Sequence, residues 1–176
     1  MATYDKYYKK KDYFGSPCKG LIDLFEAYPK RGLLCDLGAG QGRDSIPLQR
    51  MGYSVTAVDI SQKGLAQIKD KCPEIIAVES DLYTYDISKF DFILLDSIIH
   101  FYKNDIEKET RLIDRIISEM KPGCILVNNM MKSIKAEKHL AQIYGSFKGQ
   151  VKVQTDKYID YPDFDAKYNL TAIEKL

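Results

Sequence analysis

Oily runs of strand length recur along this chain: LLCDL at 33–37, GYSVTAVD at 52–59, IIAVES at 75–80, FDFILLD at 90–96 and CILVNN at 124–129. Such short runs suit strands better than helices, and FDFILLD is oily enough to be covered on both faces. Segments of helical spacing are interleaved with them. Strands alternating with helices build a parallel sheet with helices on both faces, because the connecting crossovers keep one hand. QVKVQT (150–155) and NLTAIEKL (169–176) then close the chain with no convincing helix between them. Two strands joined without a crossover must run antiparallel to each other. The expectation is an α/β fold with a mostly parallel seven-stranded sheet and an antiparallel final strand pair.

The helices carry their own punctuation. Ser16 followed by Pro17 offers an N-cap and a first helical residue, and Leu21, Ile22, Leu24, Phe25 and Tyr28 form an apolar face that stops at Pro29. GRDSIPLQRM (42–51) follows a glycine-rich turn, where Pro47 is tolerable only in the first helical turn. Ser61 caps a short helix through Lys69. Asn104 with Glu107 resembles a capping box ahead of Ile106, Leu112, Ile113, Ile116, Ile117 and Met120. SIKAEKHLAQIY (133–144) reads as a last helix, ended by Gly145. At 176 residues the chain suits a single domain, 1–176, with a sizeable core.

In an open parallel sheet, ligands bind beyond the carboxyl ends of the strands. Gly38, Gly40 and Gly42 follow the first strand, permitting positive φ and a close approach to the main chain, with a helix N-terminus aimed at the same spot. The spacing is GxGxG, and Arg43 stands where a dinucleotide fingerprint needs its last small residue. Asp59 ends the second strand, where a carboxylate can accept both hydroxyls of a ribose. Asp81 follows the third strand and can accept from an exocyclic amine, with Leu82 against the ring. With Asp36 and Asp96 these make four acids at successive strand ends. Each has a plainer reading: a tight turn for the glycines, a helix cap beside Ser61 for Asp59, a surface loop acid for Asp81. Taken together they suit a ligand bearing an adenosine, an amine and a fixed positive charge.

Lys plus Arg number 26 against 25 Asp plus Glu, so no nucleic acid is attracted by net charge. The start, MATYDKYYKKKDY, lacks the apolar core of a secretory signal, and the oiliest run, FILLDSIIHF, is interrupted by Asp96 and too short to span a bilayer. Cys18, Cys35, Cys72 and Cys124 lie far apart with no metal-ligand spacing. The expected setting is cytoplasmic, with no membrane, no nucleic acid and no metal.

These residues resemble the class I S-adenosylmethionine-dependent methyltransferases over roughly residues 33–130. DLGAGQG resembles the first motif, TAVDIS the ribose-binding acidic turn, ESDL the adenine-flanking turn, FDFILLDSIIHF the fourth motif and MKPGCILV the turn and strand that follow. Within that family GQGRDS and GYSVTAVD, after YYKKKDYFGSP, look nearest to the small tellurite-resistance and thiopurine-type enzymes. The resemblance implies a Rossmann-like three-layer sandwich. It implies that Asp36, Gly38 and Gly40, in the motif completed by Gly42, hold the methionine portion of S-adenosylmethionine. Asp59 would hold the ribose, Ile60, Asp81 and Leu82 the adenine, and Asp96 and Ser97 would line the methionine and sulfonium side. No DPPY-like tetrapeptide follows the fourth strand, which speaks against base amino groups as acceptors.

Methyl transfer from a sulfonium is an in-line displacement that rests on alignment and exclusion of water. A base is needed only for an acceptor that keeps a proton, and His100 is placed to be one, or to be a packed structural residue. His139 reads as surface. Tyr4, Tyr7, Tyr8, Tyr13 and Phe14, within residues 1–15, suit either a flap over the ligand, with aromatic faces for a cation, or a packing strap. The acids Asp160, Asp163 and Asp165 of the loop YIDYPDFDAKYN are a second candidate wall. The leading expectation is methyl transfer to a small-molecule acceptor, with S-adenosylhomocysteine as product. The alternatives are a non-catalytic module binding either compound and a nicotinamide-dependent oxidoreductase.

Overall fold

The structure is a computed structural model that describes residues 3–176. Residues 1 and 2, the start of the expected flap, lie outside the described residues. Two compact units divide the chain, Met1–Asp86 and Ile87–Leu176.

The first unit opens with a 3₁₀ segment, Thr3–Lys9, followed by α1 (Lys19–Ala27), β1 (Leu33–Leu37), α2 (Ser45–Arg50), β2 (Ser54–Asp59), α3 (Gln62–Lys71) and β3 (Ile76–Glu79). β2 lies between β1 and β3, parallel to both, with Leu37 opposite Val58 and Asp59 opposite Glu79. Leu21, Leu24 and Phe25 bury one face of α1, and Tyr53 meets the Phe25 ring edge-on while its hydroxyl donates to the Phe25 carbonyl. Ser16 is not the cap of α1. The helix starts at Lys19 after Cys18, which makes no side-chain cap bond, because buried Cys18 and Leu21 set its entry. The glycine turn extends to Asp44, so α2 is short and Pro47 falls in its first turn. Ser61 caps α3 by accepting the Gly64 amide at 3.2 Å, and the helix runs to Lys71, beyond Lys69.

The second unit comprises β4 (Phe92–Asp96), α4 (Ile106–Glu119), β5 (Ile125–Met131), α5 (Ile134–Ser146), β6 (Val151–Tyr161) and β7 (Ala166–Lys175). β4 and β5 are parallel, with Asp96 opposite Asn129, whereas β7 runs antiparallel to both β5 and β6. The strand order of the seven-stranded sheet is β3-β2-β1-β4-β5-β7-β6. Asn104 and Glu107 form no capping box: Asp105 is the N-cap without a side-chain bond, and Glu107 pairs with Arg111 at 2.6 Å. Reciprocal capping occurs instead at α5, where Ser133 accepts the Ala136 amide and Glu137 accepts that of Ser133. Gly145 does not end α5, which continues to Ser146. Most of the expected loop YIDYPDFDAKYN is strand. Pairing persists to Tyr161 opposite Ala166, and only residues 162–165 form the turn, with the Tyr161 and Tyr168 rings 4.7 Å apart.

Among the described residues, no helix is long and apolar enough to cross a membrane.

Candidate functional site

The carboxyl edge of β1, β2 and β3 carries the glycine turn. Gly38, Gly40 and Gly42 all have positive φ (84°, 54° and 80°), and the amides of Gly38 and Ala39 donate to the Val58 carbonyl at the end of β2. The glycines differ in what they make room for. A Cβ on Gly42 would come within 2.8 Å of Ile68 in α3, so this glycine serves helix packing. One on Gly40 would come within 2.8 Å of the Tyr8 hydroxyl. Gly64 passes unnoticed in the sequence, yet a Cβ there would sit 2.3 Å from the Gly40 carbonyl oxygen. It lets α3 abut the turn.

Asp59 is buried and oriented by backbone. Its Oδ2 accepts the Gly40 amide at 2.8 Å and its Oδ1 the Ser61 amide at 2.7 Å. Burial pushes its carboxyl above the usual range, and the amides of Ser61, Gly40 and Ile60 pull against that. Asp36, in β1, is only 4% exposed and accepts the Ser45 hydroxyl at 2.5 Å, at the start of α2. Burial first, then the neighbouring Asp44, pushes the Asp36 carboxyl up to about 7. Arg43 lies against Asp44, its Nε 2.9 Å from Oδ2.

Beyond β3 the exposed Asp81 accepts the Tyr83 amide at 2.9 Å, closing a turn on itself. Asp81 and Ile60, two of the expected adenine contacts, do come together: with Glu79 and Ser80 they line a recess of about 290 Å³. Leu82 is half-buried and outside that lining. Glu79, the first residue of the ESDL stretch, lies opposite Asp59 in the β2–β3 register.

Residues 3–14 pack on the turn and on α3. Gln67 donates to the Tyr8 carbonyl and Gln41 to the Lys10 carbonyl, both at 2.8 Å, while Gln41 accepts the Tyr13 amide. The Ser61 hydroxyl donates to Asp5 at 2.5 Å and Lys71 pairs with Asp12. Tyr8 is 6% exposed, and burial, then Asp59, raises its hydroxyl pKa. The rings of Tyr4, Tyr7, Tyr8, Tyr13 and Phe14 form one cluster.

The second unit holds the segment after β4. Asp96 is buried, and its Oδ1 accepts from the Asn129 side-chain Nδ2 at 2.9 Å and the Ser97 hydroxyl at 3.1 Å. Ser97 and Phe101 both have left-handed backbone, at φ 58° and 52°. Buried Glu109 accepts the amides of His100 and Phe101, and the half-buried His100 ring stacks on Tyr102 with centroids 5.1 Å apart. His139 is not a simple surface residue: its Nε2 lies 2.8 Å from the Thr110 hydroxyl of α4, and its ring meets Phe101 edge-on. A second recess of about 280 Å³ lies between α5 and the β6–β7 hairpin. Asp156 and Tyr158 line it, whereas Asp160, Asp163 and Asp165 do not.

A family model described as a methyltransferase domain matches residues 34–123. The magnesium-protoporphyrin O-methyltransferase of Synechocystis is 36% identical over 76 residues, 39% of this chain and 33% of that protein. The probable S-adenosyl-L-methionine-dependent methyltransferase TehB of Haemophilus influenzae is 28% identical over 115 residues, 59% of this chain and 40% of its own length. The matched region thus spans less than half of either curated relative. Among solved structures, the N-methyltransferase NodS from Bradyrhizobium japonicum, in complex with S-adenosylhomocysteine, superposes with a TM-score of 0.76 at 12% identity, covering 98% of this chain and 96% of that one. The 1,6-didemethyltoxoflavin-N1-methyltransferase of Burkholderia thailandensis gives a TM-score of 0.74 at 18% identity, covering 97% and 84%. At such identities the likeness is one of fold, a Rossmann-like mixed sheet.

Proposed function

Because this chain belongs to the class I S-adenosylmethionine-dependent methyltransferases, we propose that it transfers a methyl group from S-adenosylmethionine to a small-molecule acceptor. One observation carries the reading: a bare left-handed turn at Gly38 and Gly40, clipped to Asp59, with the Ile60–Asp81 recess on the same strand edge. This arrangement fits an adenosine derivative part by part. Backbone amides fix the Asp59 carboxylate, which can then receive ribose hydroxyls without losing rotamer freedom. Ile60, 52% exposed, offers an apolar face to adenine, and Asp81 an acceptor for its amine. Gly38, Gly40 and the buried Asp36 hold the methionine portion, with Gly42 setting the close packing of the turn on α3. Asp96 and Ser97 line the methionine and sulfonium side.

When bound, S-adenosylmethionine would supply an electrophilic methyl: an acceptor lone pair would bond to the methyl carbon in line as the carbon–sulfur bond breaks onto sulfur, with S-adenosylhomocysteine as the leaving group. The protein's share is alignment and the removal of water. His100 takes the proton from an acceptor that carries one. The segment 3–14 acts as a flap that keeps water from the turn, with its tyrosine cluster available to a cation. The likeness to enzymes named for a magnesium protoporphyrin and a didemethyltoxoflavin supports a small acceptor without selecting one. Four buried free cysteines support a reducing compartment such as the cytoplasm.

An acceptor-library assay reading S-adenosylhomocysteine tests the proposal. Turnover on at least one small molecule, lost in Asp59→Ala, is the expected result. Tight cofactor binding with no turnover across a broad library would leave a non-catalytic binding module in its place.

A further inference from the structure

β5 contains two consecutive asparagines, Asn128 and Asn129, both fully buried in a strand that is otherwise aliphatic up to Met130. A buried amide is costly unless paired, so a strand covered on both faces rarely carries one by accident. Asn129 lies directly opposite Asp96 in the β4–β5 register. Its Nδ2 donates to Asp96 Oδ1 at 2.9 Å, and its main-chain carbonyl accepts the Ser97 amide, also at 2.9 Å. The Ser97 hydroxyl returns to the same Asp96 oxygen at 3.1 Å, closing a ring of three residues. That ring holds Ser97 in the left-handed region at φ 58°. The amide orientation is chemically fixed, because a flipped Asn129 would set its oxygen against a carboxylate. Asn129 Oδ1 is buried with no hydrogen-bond partner among the described residues.

We infer that Asn129 is a positioning residue for the cofactor: it aims the Asp96 carboxylate and the Ser97 turn toward a bound sulfonium cation. This rests on the role proposed above for Asp96 and Ser97. A charge-assisted donor fixes one carboxylate oxygen and leaves direction, rather than mere presence of charge, as what Asn129 contributes. Loss of that direction matters most to a ligand with positive sulfur and least to one whose sulfur is neutral.

The test is calorimetric titration of S-adenosylmethionine and S-adenosylhomocysteine into the wild type, Asn129→Leu, Asp96→Asn and the double variant. Asn129→Leu is expected to weaken S-adenosylmethionine binding by about tenfold and S-adenosylhomocysteine binding by no more than about threefold. The double variant should lose no more than Asp96→Asn alone, because one residue acts through the other. Equal losses for both ligands, unchanged affinity, or additive losses overturn the inference. If Asn129→Leu does not fold by circular dichroism, Asn129→Ser carries the same comparison. A wild type that binds neither ligand removes the functional proposal itself, an outcome distinct from all of these.

Discussion

The Gly40 amide donates to Asp59 Oδ2 at 2.8 Å, so the carboxylate expected to meet a ribose also ties the glycine turn to the end of β2. The Ser61 amide occupies the other oxygen at 2.7 Å. With donors facing both ends, asparagine is a poor substitute, since its NH₂ would meet an N–H. Asp59→Asn and Asp59→Ala should each lower stability by about 1–3 kcal/mol by stranding buried amides. Urea unfolding measures this, and an unchanged midpoint for both variants would show that the clip contributes nothing.

Gly64 and Gly145 make opposite predictions although both are helical glycines. A Cβ on Gly64 would lie 2.3 Å from the Gly40 carbonyl oxygen, and backbone cannot yield as a side chain can. Gly64→Ala should cost about 1–3 kcal/mol by forcing α3 off the turn. A Cβ on Gly145 would meet nothing within 4 Å outside its own helix backbone and chain neighbours, so Gly145→Ala should stabilise by about 0.5–1 kcal/mol through helix propensity. Denaturant midpoints moving in the same direction for both would refute the packing account.

The N-terminal segment hangs on two glutamines. Gln41 and Gln67 bond to each other at 2.9 Å and to the Lys10 and Tyr8 carbonyls. Replacing both by alanine should speed amide hydrogen exchange in residues 3–14 while leaving β1–β3 protected. Exchange in the wild type already as fast as in an unstructured peptide would contradict a packed segment.

Asp36 predicts a pH dependence with a definite sign. Burial, then Asp44, raises its carboxyl from 3.8 to about 7 in the folded state. Between those values the folded protein keeps a proton that the unfolded chain releases. Its contribution to stability is therefore greatest below about pH 4, falls as pH rises toward about 7, and is constant above. Asp36→Asn removes the titration, so the variant should gain stability relative to wild type across that window. Paired unfolding curves at several pH values check this, and a flat difference would rule it out.

Much of this was legible in the chain because it is local. The oily runs place β1 to β5, and Ser61 announces α3 through a cap made three residues away. Asp59, Asp81 and the glycines stand at strand ends that hydropathy alone locates. What escaped depends on partners distant in sequence. The length of β6 is decided by pairing with β7, the start of α1 by burial of Cys18 and Leu21, and the Asn104–Glu107 pattern lost Glu107 to Arg111. Gly64 and Asn129 show their roles only once a neighbouring turn or carboxylate is set beside them.

The most direct measurement is calorimetric titration of S-adenosylmethionine, with NAD as control, into the wild type and Asp59→Ala. The account predicts micromolar, one-to-one binding of S-adenosylmethionine, no heat from NAD, and a loss of more than about tenfold in the variant. Absence of binding by the wild type, or equal affinity in a folded Asp59→Ala, would contradict it.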